Sequence, residues 1–167
     1  LEVSWTPLDR YRSLLLLGDY RSNRGFRFEA REAYASAHAI RPDLPDAWYA
    51  AGAAAMRAED WEQAVVNLRA GVACERSQDS EVVPRAHVVE FPTHLSLALQ
   101  KEAARRALLG LQDEACSLFE EAARVADKVR SRPEVAGNHQ DALDAQAYFF
   151  RSRNRWLGQR AVMGLTE

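Results

Sequence analysis

Residues 48–71 read WYAAGAAAMRAEDWEQAVVNLRAG, and this stretch decides the fold. Alanine, which has the best helix propensity, dominates it on both sides of a short charged break. A small residue, Gly52, lies in the first half, while Ala64 and Leu68 lie one helical turn apart in the second half. Small residues on facing helices allow their backbones to approach closely. The stretch therefore predicts two antiparallel helices packed as a hairpin.

The same arrangement of residues recurs along the chain with a period of about 34 residues. One copy precedes this stretch, and another follows it after an insertion. No single hairpin of this kind can bury its apolar face alone, so we expect the copies to stack, with the large residue of each filling the space between them. The small, small and large residues are Gly18, Ala30 and Tyr34 in the first copy, Gly52, Ala64 and Leu68 in the second, and Ala103, Ala115 and Phe119 in the third.

This pattern resembles the tetratricopeptide repeat family over residues 11–130. Residues 60–64, DWEQA, match the family's usual opening of a second helix, and residues 39–43, AIRPD, match its usual ending. The third copy departs from the pattern, because Glu102 stands where the family has a large apolar residue. The resemblance implies an all-α fold, a right-handed superhelix of three helical hairpins with a C-terminal capping helix.

We expect one solenoid domain over residues 1–167. Proline, glycine and the apolar periodicity predict helices near 9–22, 26–40, 46–58, 60–76, 94–109, 111–130 and 138–160. The repeats then lie near 11–44, 45–78 and 96–129, the insertion forms a loop over 77–92 before an N-cap at Thr93, and the capping helix is 138–160. Two alternatives stay open for the loop, an ordered surface loop or a binding element. Two also stay open for the aromatic residues of the cap, packing on the third hairpin or an exposed patch for a partner or a second copy.

Composition excludes several classes of protein. With 47% hydrophobic and 28% charged residues the chain is neither disordered nor of low complexity. No run of about 18 apolar residues predicts a membrane span, and the net charge of −2 disfavours nucleic acid as the partner. No phosphate-binding, nucleophile, or Cys and His metal motif occurs, so we expect no enzyme, no cofactor and no metal. The excess of arginine over lysine indicates a GC-rich bacterial genome.

The resemblance also implies a concave groove, lined by the first helix of each repeat, that binds a peptide or a helical segment of another protein. Carried over position by position, the groove is apolar with a basic rim, and of the places that the family's carboxylate clamp uses only Lys101 is basic, so we expect no such clamp. Its residues are Leu15, Asp19, Asn23, Tyr49, Ala53, Met56, Arg57, Gln100, Lys101 and Leu108. A second candidate surface, through which the chain would also form a homo-oligomer, contains Arg151, Arg155 and Trp156.

These observations predict a non-catalytic protein–protein interaction module, a scaffold or adaptor in a bacterial multiprotein assembly. Two alternatives remain: a substrate-recruiting domain of a larger enzyme such as a transferase, and a secretion chaperone. The length and the three repeats resemble the type III translocator chaperones, although the insertion between the second and third repeats departs from their contiguous repeats. The chain begins at Leu1 without an initiator methionine, so we expect a processed chain or an excised piece, with a cytoplasmic location favoured and a removed signal or anchor left open.

Overall fold

The computed structural model describes residues 5–77, 85–131, 151 and 153–162. Within those ranges all regular secondary structure is helical, which confirms the all-α class. The helices are α1 (Pro7–Asn23), α2 (Arg27–Ile40), α3 (Asp46–Arg57), α4 (Trp61–Ser77), α5 (Arg85–Leu108) and α6 (Gln112–Arg130), and residues 153–162 are helical as well. Three pairs pack as hairpins: α1 with α2, α3 with α4, and α5 with α6. The chain divides into two compact units, unit 1 (Leu1–Ser80) and unit 2 (Glu81–Glu167).

Each hairpin of unit 1 packs through a glycine and a large side chain. A methyl group added at Gly18 would overlap the Tyr34 ring, and one at Gly52 would stand 2.7 Å from Leu68. The small residues therefore bring the two helices of each hairpin together, as the spacing predicts. Tyr34 and Leu68 lie against the glycine of their own hairpin, whereas the spacing was expected to place them between hairpins.

Local sequence sets the ends of these helices. Thr6 caps α1, because its hydroxyl accepts a hydrogen bond from the Asp9 amide at 3.1 Å while the Asp9 carboxylate accepts one from the Thr6 amide at 3.0 Å. The turn after α1 contains Gly25 with φ 83°, and the turn after α5 contains Gly110 with φ 79°. Both glycines occupy the left-handed region that side chains disfavour, and they fix the hairpin breaks at the predicted positions.

The structure corrects the predicted loop over residues 77–92. Its second half is helical, because α5 begins at Arg85 and continues through Pro92, while residues 78–84 lie outside the described part of the chain. Proline has no N–H to donate to the preceding turn, which is why a helix was not expected there. Thr93 is consequently inside the helix and is not its N-cap. Its hydroxyl instead donates to the Glu90 carbonyl oxygen at 2.7 Å.

Unit 2 has a core between α5 and α6 that includes polar groups. Leu99, Ala103 and Phe119 are buried in it, and the buried Ser96 hydroxyl donates to the Ala122 carbonyl oxygen at 3.0 Å. Of the predicted capping helix, residues 138–150 and 152 lie outside the described residues, whereas 153–162 are helical. That segment contacts α6, where the Gln159 side chain donates to Gln112 Oε1 at 2.6 Å.

Candidate functional site

Two hydrogen-bonded contacts hold α1 and α3 side by side in unit 1. Near the start of both helices, the Tyr11 hydroxyl accepts from the Ala47 amide at 3.2 Å and donates to Asp46 Oδ2 at 3.4 Å. Near their ends, the Arg57 guanidinium donates to Ser22 Oγ at 3.1 Å. The beginning of α1 thus contacts the beginning of α3, and the last turns of the two helices also contact each other, so the helices run parallel. This is the arrangement in which the first helices of successive repeats line one face.

Six residues of α1 and α3 are exposed or half-buried on the solvent side of these two helices, and we call this predicted surface the unit 1 groove. Leu16 is 70% exposed, a large fraction for a leucine on a helix of a folded domain. Asp19 and Asn23 of α1 and Arg57 of α3 are exposed. Ala53 and Met56 of α3 are half-buried. The groove therefore presents apolar surface beside one acidic and one basic side chain. Its members are Leu16, Asp19, Asn23, Ala53, Met56 and Arg57.

The acidic residue of the unit 1 groove also serves the fold. The Tyr34 hydroxyl donates to Asp19 Oδ1 at 2.8 Å, which ties α2 to α1. Burial, and next the hydrogen bond to this carboxylate, raise the pKa of Tyr34, so its hydroxyl keeps its proton and stays a donor. Asp19 is nevertheless exposed, so its carboxylate can accept a further hydrogen bond from a partner.

Two of the predicted groove residues, Tyr49 and Gln100, are buried, and these predictions are corrected, whereas a third, Leu15, is half-buried. Tyr49 is 3% exposed, because its ring lies against Gly71 of α4, where an added methyl group would stand 2.9 Å away. Leu15 is half-buried and packs on the cluster around Tyr11. Gln100 of α5 is 3% exposed. A bound segment would not reach the side chains of Tyr49 or Gln100.

The remaining predicted groove residues belong to unit 2. Lys101 is exposed in the second half of α5, and Leu108 is 89% exposed at its last residue. Leu109 and Leu111 in the following turn are also exposed, so the α5–α6 turn is an apolar surface of unit 2. That Lys101 and Leu108 contribute to one groove with α1 and α3 stays a prediction.

Sequence reasoning named Leu16 as a groove position and Trp5 as a residue that could lie in the groove, but it missed Tyr20 on the same exposed face of α1. Trp5 and Leu16 line a shallow cleft of about 400 Å³ together with Asp9, Arg12 and Ser13. Tyr20, one helical turn beyond Leu16, is 57% exposed. The Arg24 guanidinium lies 5.5 Å from the centre of the Tyr20 ring, within the range of a cation–π contact. The signal in the sequence was the spacing of four between Leu16 and Tyr20, which places both on one face of a helix.

The second predicted surface is described only in part. Arg151 and Arg155 are exposed, and Trp156 is half-buried with the Arg160 guanidinium 5.2 Å from its ring centre. The aromatic residues at 148–150 lie outside the described residues. A homo-oligomer through this helix stays a prediction.

The described residues contain no cluster of metal-binding side chains, and neither cysteine forms a disulfide bond. No group of three or more His, Cys, Asp or Glu side chains converges within the part of the chain that was searched. The Cys74 thiol contacts the Asp43 carbonyl oxygen at 3.2 Å, and burial raises the pKa of Cys116. Among the helices of the described ranges, none combines the length and apolar character needed to cross a membrane.

Comparison with solved structures shows the class of fold. No protein-family profile and no curated protein matches the sequence. A T3SS complex from Aeromonas hydrophila matches with a TM-score of 0.54 and 18% identity, over 88% of this chain and 83% of that one. PcrH in complex with the chaperone binding region of PopD matches with a TM-score of 0.54 and 18% identity, over 93% of this chain and 98% of that one. The chain thus shares the tetratricopeptide-like helical fold of these proteins.

Proposed function

We propose that this chain is a non-catalytic protein–protein interaction module, and that the unit 1 groove binds a peptide or helical segment of a partner protein. The observation that carries the proposal is the face shared by α1 and α3. Hydrogen bonds hold the two helices side by side at both ends, and Leu16 on the solvent side of α1 is 70% exposed. Exposed apolar side chains between polar neighbours are typical of grooves that bind amphipathic or extended segments.

The chemistry of the unit 1 groove indicates the kind of segment it binds. Leu16 and Met56 offer apolar contacts, and methionine adapts to irregular partners. Arg57 donates a hydrogen bond to Ser22, and its exposed guanidinium has further donors for a carboxylate. We therefore propose an apolar segment that carries an acidic residue. A scaffold or adaptor in a bacterial assembly uses binding of this kind.

The comparisons favour a second, more particular candidate, a secretion chaperone. PcrH was solved with the chaperone binding region of PopD, and the match covers nearly all of both chains. A chain of this length and fold is suited to hold one segment of an exported partner. In that case the partner alone would be insoluble in the producing cell and would become soluble when co-expressed with this chain. The third candidate, a recruiting domain of a larger enzyme, is tested by the reading frame around the chain.

The proposal is tested by affinity capture with the full chain, followed by mass spectrometry. Leu16→Ser and Arg57→Glu change the unit 1 groove, and Val66→Ser and Arg10→Glu are matched controls at exposed positions of α4 and α1. Captured proteins are expected to be lost with the groove variants and retained with the controls, while circular dichroism shows that all four fold. Equal capture by the groove variants and the controls would contradict the groove. Tyr49→Ala is not a suitable variant, because it would empty a buried site.

A further inference from the structure

Unit 1 contains a cavity that adjoins the unit 1 groove at Ser22, which lines the cavity and accepts the hydrogen bond from Arg57. It has a volume of about 270 Å³ and lies between α2 and the hairpin of α3 and α4. Five alanines line it, and Phe28, whose ring is 70% exposed, lies at its edge. The α3 alanines concerned occupy positions other than Ala53 and Arg57, so a different face of α3 is used. The five alanines, which we call the alanine floor, are Ala30, Ala51, Ala54, Ala55 and Ala58.

The edge of this cavity carries two arginines that have no ion pair within the described residues. Arg27 and Arg31 both line the cavity, and at a spacing of four on α2 they share one face. Neither has an acidic residue three or four positions away on its own helix. The one carboxylate that lines the cavity, that of Asp60, already accepts from the Gln63 amide at 3.2 Å as a cap of α4. The two guanidiniums are therefore open to an anion from outside the chain.

The size and the polarity of the cavity together restrict its ligand. Its volume is slightly below the range of about 300–1,000 Å³ that is usual for pockets holding drug-sized molecules, so it suits one or two side chains. The alanine floor favours an apolar group, while Ser22, Gln63 and Asn67 add polar groups to the rest of the lining. Two adjacent guanidiniums favour a carboxylate, which arginine binds through two parallel hydrogen bonds.

We propose that this cavity binds one apolar side chain of a partner peptide, and that Arg27 and Arg31 bind a carboxylate of an Asp or Glu close to it in that peptide. The inference rests on the proposed function, because it assumes that unit 1 binds a protein segment. It adds a second contact site, on the side of α3 that faces α2, and the chemistry of the segment that occupies it.

The probe is a phage-displayed library of random short peptides, selected on the full chain. Peptides that combine Leu, Ile, Met or Phe with a nearby Asp or Glu are expected to be enriched. Enriched peptides are then synthesised, and their Kd is measured by fluorescence anisotropy. Ala55→Leu fills the cavity without lowering helix propensity greatly, and Arg27→Gln with Arg31→Gln removes the two charges. Each change is expected to raise the Kd by about tenfold or more, a loss of about 1.4 kcal/mol.

The matched control is Arg10→Gln with Arg124→Gln, which removes the same charge at exposed positions of α1 and α6 and is expected to leave the Kd unchanged. A peptide whose acidic residue is moved to its far end is expected to bind the wild type as weakly as the original peptide binds the arginine variant. If peptides bind and depend on Leu16 and Arg57 but not on Ala55→Leu or the arginine pair, the cavity proposal is overturned while the groove stands. If no peptide binds and capture is unaffected by the groove variants, both fail. The arginine pair is exposed, so its variant tests the proposal even where Ala55→Leu does not fold.

Discussion

Replacing Gly18 with alanine tests the packing that holds the first hairpin together. The added methyl group would stand 2.6 and 2.8 Å from two carbons of the Tyr34 ring and closer still to a third. The ring cannot move aside easily, because Tyr34 is 2% exposed and its hydroxyl is hydrogen-bonded to Asp19. Overpacking of this kind costs about 1–3 kcal/mol, and alanine in place of glycine returns at most about 1 kcal/mol of helix propensity. We expect a net loss of about 1–2 kcal/mol in the free energy of unfolding.

The assay is thermal and urea unfolding followed by circular dichroism. For a chain of this size each kcal/mol shifts the Tm by about 2–4 °C, so Gly18→Ala is expected to lower the Tm by roughly 2–8 °C. Gly158→Ala is the matched control, since the added carbon meets no neighbouring heavy atom within 4 Å and the residue is exposed. Here only the helix propensity changes, and we expect a gain of about 0.5–1 kcal/mol.

The opposite signs of the two substitutions make the reasoning refutable. If Gly18→Ala stabilises the chain as Gly158→Ala does, α1 and α2 do not approach as closely as the structure shows. A double-mutant cycle locates the cause. With Tyr34→Leu, which removes the ring, the cost of Gly18→Ala is expected to fall, because the coupling between contacting residues is lost. If Gly18→Ala costs the same free energy of unfolding in the Tyr34→Leu variant, the contact with the Tyr34 ring is not the cause of the destabilisation.

Three further predictions concern single groups. Gly25→Ala meets no atom within 4 Å but keeps a φ of 83°, so backbone strain alone should cost about 1 kcal/mol in urea unfolding. Glu102 has its pKa lowered, first by the hydrogen bond from Arg105. The charged Glu102 side chain therefore stabilises the fold fully above the ordinary glutamate pKa of about 4.3, and this stabilisation is lost as the pH falls through the lowered pKa. Glu102→Gln should remove that part of the acid dependence of the Tm. Tyr11→Phe leaves the Ala47 amide without its acceptor and should cost about 1–3 kcal/mol by the same unfolding assay.

The hairpins were predictable from sequence because their determinants are local. Gly25 separates the leucine-rich α1 from α2, and the charged break after Arg57 interrupts an alanine-rich stretch. Predicted and observed helix ends in unit 1 differ by no more than the usual uncertainty of a helix boundary. The close approach at Gly18 and Gly52 was also predictable, because only a small residue permits it. What the spacing did not reveal was that the large partner residue packs within its own hairpin. That depends on which rotamer the side chain adopts against the facing helix.

The start of α5 was not predictable because proline normally ends a helix. Pro92 lies inside α5, so the helix loses one backbone hydrogen bond there, and the Thr93 hydroxyl supplies a bond to the Glu90 carbonyl oxygen. Pro92 is also buried, so packing against its ring offsets part of the cost. The helix propensity of the local sequence cannot predict this contact, because it depends on tertiary packing.

The groove residues were predicted less well than the hairpins, for a geometric reason. On a helix each step along the sequence turns the side chain by about 100°, so neighbouring positions point in clearly different directions, and an error of one position can exchange an exposed residue for a buried one. Family positions identify the helix and the approximate face, and Arg57 is exposed on α3, although its place in a groove stays a prediction. Family positions do not show whether an aromatic side chain such as that of Tyr49 is buried or exposed. In the structure its ring packs against Gly71 and is buried. The orientation of such a ring depends on the helix that packs against it as well as on its own helix.

Glu102 shows how a repeat tolerates a residue that the repeat pattern rejects. Its side chain is 3% exposed, and its carboxylate accepts from Arg105 at 2.7 Å and from Arg106 at 2.6 Å. Both arginines lie three or four residues further along α5 and are themselves partly exposed, so the charge is neutralised locally while the cations stay hydrated. Arg106 also pairs with Glu114 of α6, which links the two helices. The third hairpin therefore replaces an apolar contact by an ion network that spans its helices, and for that reason its sequence resembles the repeat least.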